Sequence, residues 1–132
     1  MSKNINTILI TGATSGIGKS ILELLSFKGF KIVFTYYKRD KVANKLVNDL
    51  KKVNKNIYSY KINLERNENI DKLFKFAKKK LKSIDCLINN AAFFVQRKKF
   101  ETLPLSHVKQ LMNINYFAAF RLSQLFAISN RK

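Results

Sequence analysis

A chain of 132 residues with 46% hydrophobic and 12% aromatic content has the material for one domain with a single packed core. One cysteine and one histidine exclude an internal disulfide and a His/Cys metal cluster, and no apolar stretch nears the roughly 18 residues of a membrane span, so a cytoplasmic protein with no metal and no membrane partner is expected. The net charge of +18 points toward polyanions, yet Lys45, Lys51, Lys52, Lys72, Lys75 and Lys82 spread over nearly every expected helix and loop, so salt-sensitive sticking follows and a specific nucleic-acid site does not.

The first element is an apolar run, Ile5, Ile8, Leu9 and Ile10. It leads into Thr11-Gly12-Ala13-Thr14-Ser15-Gly16-Ile17-Gly18 and then into an amphipathic segment opening at Ile17. A strand, a glycine-rich turn and a helix in that order form a phosphate-binding corner. Three of the four glycines of the chain fall in it. Gly12 suits the tight turn, Gly16 lets the main chain approach a pyrophosphate with no Cβ between, and Gly18 allows the helix to pack closely on the strand. The helix then aims its first N–H groups and the positive end of its dipole at the phosphates. Thr11, Gly12, Thr14, Ser15, Gly16, Ile17 and Gly18 are the candidate cofactor-binding residues here; the alternative is a structural β–α turn that binds nothing.

Gly29 caps the first helix, and Ile32, Val33, Phe34 and Tyr36 make a second strand. A second helix runs from Asp40, with Val42, Leu46, Val47 and Leu50 as its apolar stripe. Residues 56–62 read as a third strand, residues 68–81 as a third helix with Ile70, Leu73, Phe74, Ala77 and Leu81 inward, and residues 84–89 as a fourth strand in which Cys86 is buried. Past a loop carrying Arg97-Lys98-Lys99 and Pro104, a long helix is expected from Ser106 as its N-cap to about residue 129, through Leu111, Ile114, Phe117, Phe120, Leu122, Leu125 and Phe126. Strands alternating with helices predict an α/β fold, a Rossmann-type doubly wound parallel sheet with right-handed crossovers and strand order 3-2-1-4. In the full order 3-2-1-4-5-6 the fourth strand is interior, so here it is left as an open apolar edge. Residues 1–132 therefore read as a single, incomplete domain, truncated after about four strands and a long terminal helix.

With Thr11 to Gly18 set beside Asn89-Asn90-Ala91-Ala92 at the end of the fourth strand, the chain resembles the short-chain dehydrogenase/reductase family. The first motif looks like that family's Thr-Gly-x-x-x-Gly-x-Gly cofactor turn and the second like its Asn-Asn-Ala-Gly, with Ala92 in place of glycine. Asp85 stands four residues before Asn89, as the family has it, and Asn115 falls where the family places its catalytic asparagine, 25 residues after Asn90. The resemblance implies an NAD(P)(H)-dependent oxidoreductase that passes a hydride between nicotinamide and a small-molecule carbonyl or alcohol. It makes Asn115 the catalytic candidate and Asn89, Asn90 and Ala91 part of the cofactor pocket. It also implies a serine and a Tyr-x-x-x-Lys pair, which belong beyond Lys132. The pair Tyr37 to Lys41 follows the second strand and cannot reach the hydride site from there.

Cofactor choice is partly legible. An NAD site needs a carboxylate at the end of the second strand to accept from the ribose 2′-hydroxyl, whereas a 2′-phosphate needs that acid absent and a cation near. Tyr36, Tyr37, Lys38 and Arg39 occupy this region and the nearest acid is Asp40, so NADP is expected over NAD. Asn63, with Leu64 beside it, stands where the family usually carries an aspartate that accepts from the adenine amino group; an amide oxygen still accepts there.

Three functions follow as expectations. One is the cofactor-binding half of a short-chain reductase, inactive alone. Another is a noncatalytic dinucleotide-binding or partner-docking protein, or a remnant of a split gene, whose last helix meets a second half-chain or a second copy through Phe117, Phe120, Leu122 and Phe126. The third, a basic nucleic-acid binder, has no motif to accompany its charge. Phe93, Phe94 and Gln96 are expected to border the substrate pocket.

Overall fold

The computed structural model describes residues 5–131. Four parallel strands, β1 (Thr7–Ile10), β2 (Lys31–Tyr36), β3 (Ile57–Lys61) and β4 (Cys86–Ile88), lie in the order β3-β2-β1-β4. Helices α1 (Gly16–Phe27), α2 (Asp40–Leu50) and α3 (Glu68–Leu81) are the crossovers between them. Each parallel pair needs such a crossover, and the helices cover both faces of the sheet.

Strand alternation divides the core. Ile8, Ile10, Ile32 and Phe34 point to one face, where they pack with Leu22, Ala43, Leu46 and Leu50 of α1 and α2. Leu9 and Val33 point to the other, where they meet Ile70, Leu73, Phe74, Ala77 and Leu81 of α3. The five inward residues expected of α3 are the ones it buries. On α2 the stripe is rotated by one residue, with Ala43 fully buried and Val42 37% exposed. Leu46 and Leu50 fix the centre of the buried face, and Ala43, three residues before Leu46, falls on it.

Gly29 ends α1 in the left-handed region at φ +81, which lets the Phe30 N–H donate to the Leu25 carbonyl at 3.2 Å. Asp85 clamps the start of the sheet: its Oδ2 accepts from the Thr7 hydroxyl at 2.8 Å and from the Asn6 and Thr7 N–H groups at 3.1 and 3.2 Å.

After β4 the chain runs without regular structure to a 3-10 turn at Phe100–Thr102. A continuous helical arm follows: α4 (Leu105–Met112), a π-helical turn (Asn113–Ala118) and α5 (Ala119–Ser129). The expected N-cap at Ser106 is corrected. The helix opens at Leu105 from Pro104, whose φ of −65 already suits a helix entry, and Ser106 lies inside the first turn. Ala118 and Leu122 are buried against the α3 face of the sheet, with Ile114, Leu125 and Phe126 packed beside them. Leu122 and Phe126 are thereby used within the chain, while Phe117 and Phe120 stay exposed. Among the described residues β4 pairs with β1 alone, so its outer edge is open, and Cys86 in it is half-buried rather than buried.

Candidate functional site

Four chain segments converge where β1, β2 and β4 end. Thr11 sits behind the glycine-rich turn, buried, and joins two strand tips: its N–H donates to the Ile88 carbonyl at 3.0 Å, and its Oγ1 accepts from the Asn90 and Ala91 N–H groups at 3.1 and 3.0 Å. The Asn90 side chain returns the tie, its Nδ2 donating to the Thr11 and Gly12 carbonyls at 3.0 and 2.9 Å. From the other flank, Thr35 of β2 accepts the Gly12 N–H on its hydroxyl and the Ala13 N–H on its carbonyl, both at 3.1 Å. The turn is thus pinned on both sides through its backbone, and the bonds to Thr11, Thr35 and Asn90 satisfy main-chain groups that would be costly to bury unpaired.

The glycines fill three different requirements. Gly12 has φ +68, and a Cβ on it would lie 2.7 Å from the Ala91 Cα. On Gly18 a Cβ would strike the Asn90 amide and approach the Gly12 carbonyl oxygen to 2.7 Å, so the helix packs closely on the turn and on the segment after β4. Gly16 differs from both. Its φ is +53 and a Cβ would meet nothing within 4 Å, because it faces open space at the head of α1. The Lys19 N–H donates to the Ser15 carbonyl at 3.2 Å, so the N–H groups of Gly16, Ile17 and Gly18 precede the helical ladder, and the side chain of the N-cap Ser15 makes no capping bond to them.

These segments enclose a cavity of about 570 Å³. Gly12, Thr14, Ser15, Gly16, Ile17 and Gly18 form one wall. Thr35, Tyr36 and Tyr37, with Ile62, Asn63 and Leu64, form the second; Asn90 to Phe94 and Ile114 form the third. Of the residues expected from sequence, Thr11, Lys38, Arg39, Asn89 and Asn115 lie outside this lining, as does Gln96. Asn89 donates to the Ser123 hydroxyl of α5 at 3.1 Å. Asn115, in the π-helical turn, grips the backbone of Phe93 twice: its Oδ1 accepts the Phe93 N–H at 2.7 Å and its Nδ2 donates to the Phe93 carbonyl at 3.0 Å. A widened turn of this kind recurs at functional sites. Asn63 accepts the Glu65 N–H on its Oδ1 at 3.0 Å and donates to the Tyr37 hydroxyl at 3.4 Å.

The end of β2 carries a charged cluster. Asp40 Oδ2 lies 2.9 Å from the Lys61 ammonium, and Asp40 Oδ1 accepts from the Tyr36 hydroxyl at 3.4 Å. The bond from Lys61 holds the Asp40 carboxyl below the usual carboxylate range, and the same bond raises the Lys61 ammonium. Burial, then the Asp40 charge, pushes the Tyr36 phenol up. Lys38 places its ammonium 5.4 Å from the centre of the Tyr37 ring. Sequence reasoning missed Thr35 and Ile114 as parts of the site; a threonine at an inward position of an apolar strand is the signal for the first.

Against known proteins, the family model for short chain dehydrogenase matches residues 6–129. The 7alpha-hydroxysteroid dehydrogenase of Escherichia coli (strain K12) is 30% identical over 119 residues, which are 90% of this chain and 46% of that protein. The NAD-dependent glycerol dehydrogenase of Listeria innocua is 31% identical over 118 residues, covering 89% of this chain and 44% of the relative. The crystal structure of a blue fluorescent protein from a metagenomic library, in complex with NADPH, superposes with a TM-score of 0.87 at 28% identity over 94% of this chain and 51% of that one. The chain spans about half the length of the relatives it matches. No helix among the described residues is long and apolar enough to cross a membrane. The parallel sheet in the order β3-β2-β1-β4, the glycine corner and the match over residues 6–129 agree: the chain belongs to the short-chain dehydrogenase family, whose members are NAD(P)-binding oxidoreductases.

Proposed function

We propose that the cavity binds a nicotinamide dinucleotide, NADP in preference to NAD, and that the chain supplies the cofactor side of a hydride transfer to or from a carbonyl or alcohol carbon. The observation that carries this reading is Gly16, a positive-φ residue at the head of α1 whose missing Cβ leaves open space in the cavity wall, beside N–H groups that no helical carbonyl uses. A pyrophosphate fits that description: it is anionic, it accepts several hydrogen bonds, and it needs close approach to the main chain. In this reading Thr14, Ser15, Gly16, Ile17 and Gly18 hold the phosphates and Gly12 shapes the turn. Asn63 and Leu64 border the adenine, and Tyr37, Lys38 and Arg39 serve the 2′-phosphate. Asn90 and Ala91 wall the cavity at β4, while Thr11 and Asn89 brace that wall from behind. Asn115 is the catalytic candidate, and it holds Phe93 at the far end. Bound cofactor supplies the hydride donor or acceptor. The one Tyr-x-x-x-Lys pair in these 132 residues, Tyr37 to Lys41, lies at the β2 end, so the acid–base part of the reaction is not assembled from it.

A second reading, docking to another copy or to a second half-chain, is supported by Phe117 and Phe120, which stay exposed on the helical arm. It is compatible with the first.

The test is titration of NADPH into the wild-type chain and into Gly16→Val. Phosphate contact through the main chain predicts weakening of at least about tenfold, equivalent to about 1.4 kcal/mol, with an unchanged melting cooperativity. Equal affinity in the two proteins would remove the phosphate cradle from the proposal.

A further inference from the structure

Asp40 is the acid nearest the end of β2, and both of its oxygens are engaged, one by Lys61 at 2.9 Å and one by the Tyr36 hydroxyl at 3.4 Å. Tyr36 and Lys61 are register partners on neighbouring parallel strands, so the sheet itself holds the cluster together. Tyr36 also lines the cavity, which puts the Asp40 carboxylate one side chain behind the cavity wall. A carboxylate there acts oppositely on the two cofactor forms: it attracts a ribose hydroxyl that can donate, and it repels a phosphate dianion.

We propose that Lys61 is the specificity-determining residue of this site, acting through Asp40: by pairing with that carboxylate it offsets the negative charge that stands behind Tyr36 and opposes a 2′-phosphate. Nucleotides phosphorylated at the 2′ position are taken over those with a free hydroxyl, because the positive charges of Lys38 and Arg39, next in the chain to the wall residue Tyr37, then act without an acid to offset them. The inference rests on the dinucleotide reading and adds a residue from β3 that takes no part in the glycine corner. The cluster keeps its composition through the neutral range, since Lys61 holds the Asp40 carboxyl ionised and burial keeps the Tyr36 phenol protonated. Both members of the ion pair are about half exposed, so its field is screened and its effect is a preference of a few-fold rather than an absolute selection.

The experiment is calorimetric titration of 2′,5′-ADP and of 5′-AMP into the wild-type chain, Lys61→Met, Asp40→Asn and the double variant. Lys61→Met is expected to weaken 2′,5′-ADP by about fivefold while leaving 5′-AMP within about twofold, the size set by one screened charge at this range. Adding Asp40→Asn to Lys61→Met is expected to restore the 2′,5′-ADP affinity, because the charge that opposed the phosphate is then gone. Equal weakening of both ligands overturns the inference, and so does a double variant as weak as Lys61→Met, since Lys61 would then act on the phosphate directly. A wild-type chain that binds both ligands with affinities indifferent to all three variants overturns this inference alone. A wild-type chain that binds neither ligand overturns the dinucleotide reading together with it.

Discussion

At the glycine corner, Thr11, Thr35 and Asn90 satisfy backbone groups one by one, and a single added carbon at Gly12 or Gly18 collides with a neighbour. Along the arm from Leu105 to Ser129, only one stripe is fixed by packing. Leu122 is 1% exposed there and Phe120, two residues earlier, is 58% exposed. The corner is determined by main-chain geometry, where identity matters atom by atom. The arm is held mainly by burial along that stripe, with Asn115 on Phe93, Ser123 on Asn89 and Arg121 on Asp71 as its few polar ties.

The sharpest way to break the comparison lies within the corner. Gly18→Leu puts side-chain atoms where the Asn90 amide and the Gly12 carbonyl stand, so the turn or α1 must move. A loss of about 3 kcal/mol or more in chemical denaturation is expected, at the upper end of overpacking costs. Gly16→Ala, two residues away, meets nothing and is expected to cost only about 1 to 2 kcal/mol for its left-handed backbone. If the two variants melt alike, the corner is looser than its contacts imply.

On the arm, Leu122→Ala removes a fully buried side chain from the core cluster shared with α3 and is expected to cost about 2 to 5 kcal/mol. Phe120→Ala, larger in volume removed, is expected to stay within about 0.5 kcal/mol in the isolated chain, because its ring is mostly solvated. Denaturant midpoints of the two variants decide it. A large loss at Phe120 in a dilute sample would mean that the exposed ring is buried in solution, and sedimentation would then identify the second copy.

The same contrast explains what the sequence discloses. The helix α3 is legible to the residue because Ile70, Leu73, Phe74, Ala77 and Leu81 recur at the helical period against a charged remainder. The glycine corner is legible because its glycines stand at positions where only a residue without a Cβ fits, and the structure finds such positions at Gly12 and Gly18. Val42 misleads, since hydrophobicity alone ranks it above Ala43 while the helix axis decides which of the two faces the sheet. The π-helical turn has no sequence pattern of its own: it shows only in the backbone of Asn113–Ala118, where Asn115 reaches Phe93, 22 residues away in the chain. Lys61 is equally silent, because one lysine among many says nothing until the β2–β3 register sets it against Tyr36 and Asp40.

Cys86 opens β4 in register with Ile8, packed beside the α1–α2 side of the core, and offers the smallest effect. Burial first, and the charge of Asp85 second, push its thiol above the ordinary value. The folded state therefore favours the protonated thiol relative to the unfolded chain. That contribution is present in full below the unfolded thiol pKa and is lost as pH rises through the folded one, so it is a slight stabilisation near neutrality that fades in alkali. Because the thiolate is the nucleophile, alkylation by iodoacetamide at pH 8 is expected to run several-fold slower in the folded chain than in urea. The ratio should shrink as pH climbs, since both thiols are then ionised and only access still separates them. A ratio that does not change with pH would mean that shielding by the outer edge of β4, rather than ionisation, controls the thiol, and the edge would then be more closed than its pairing with β1 alone implies.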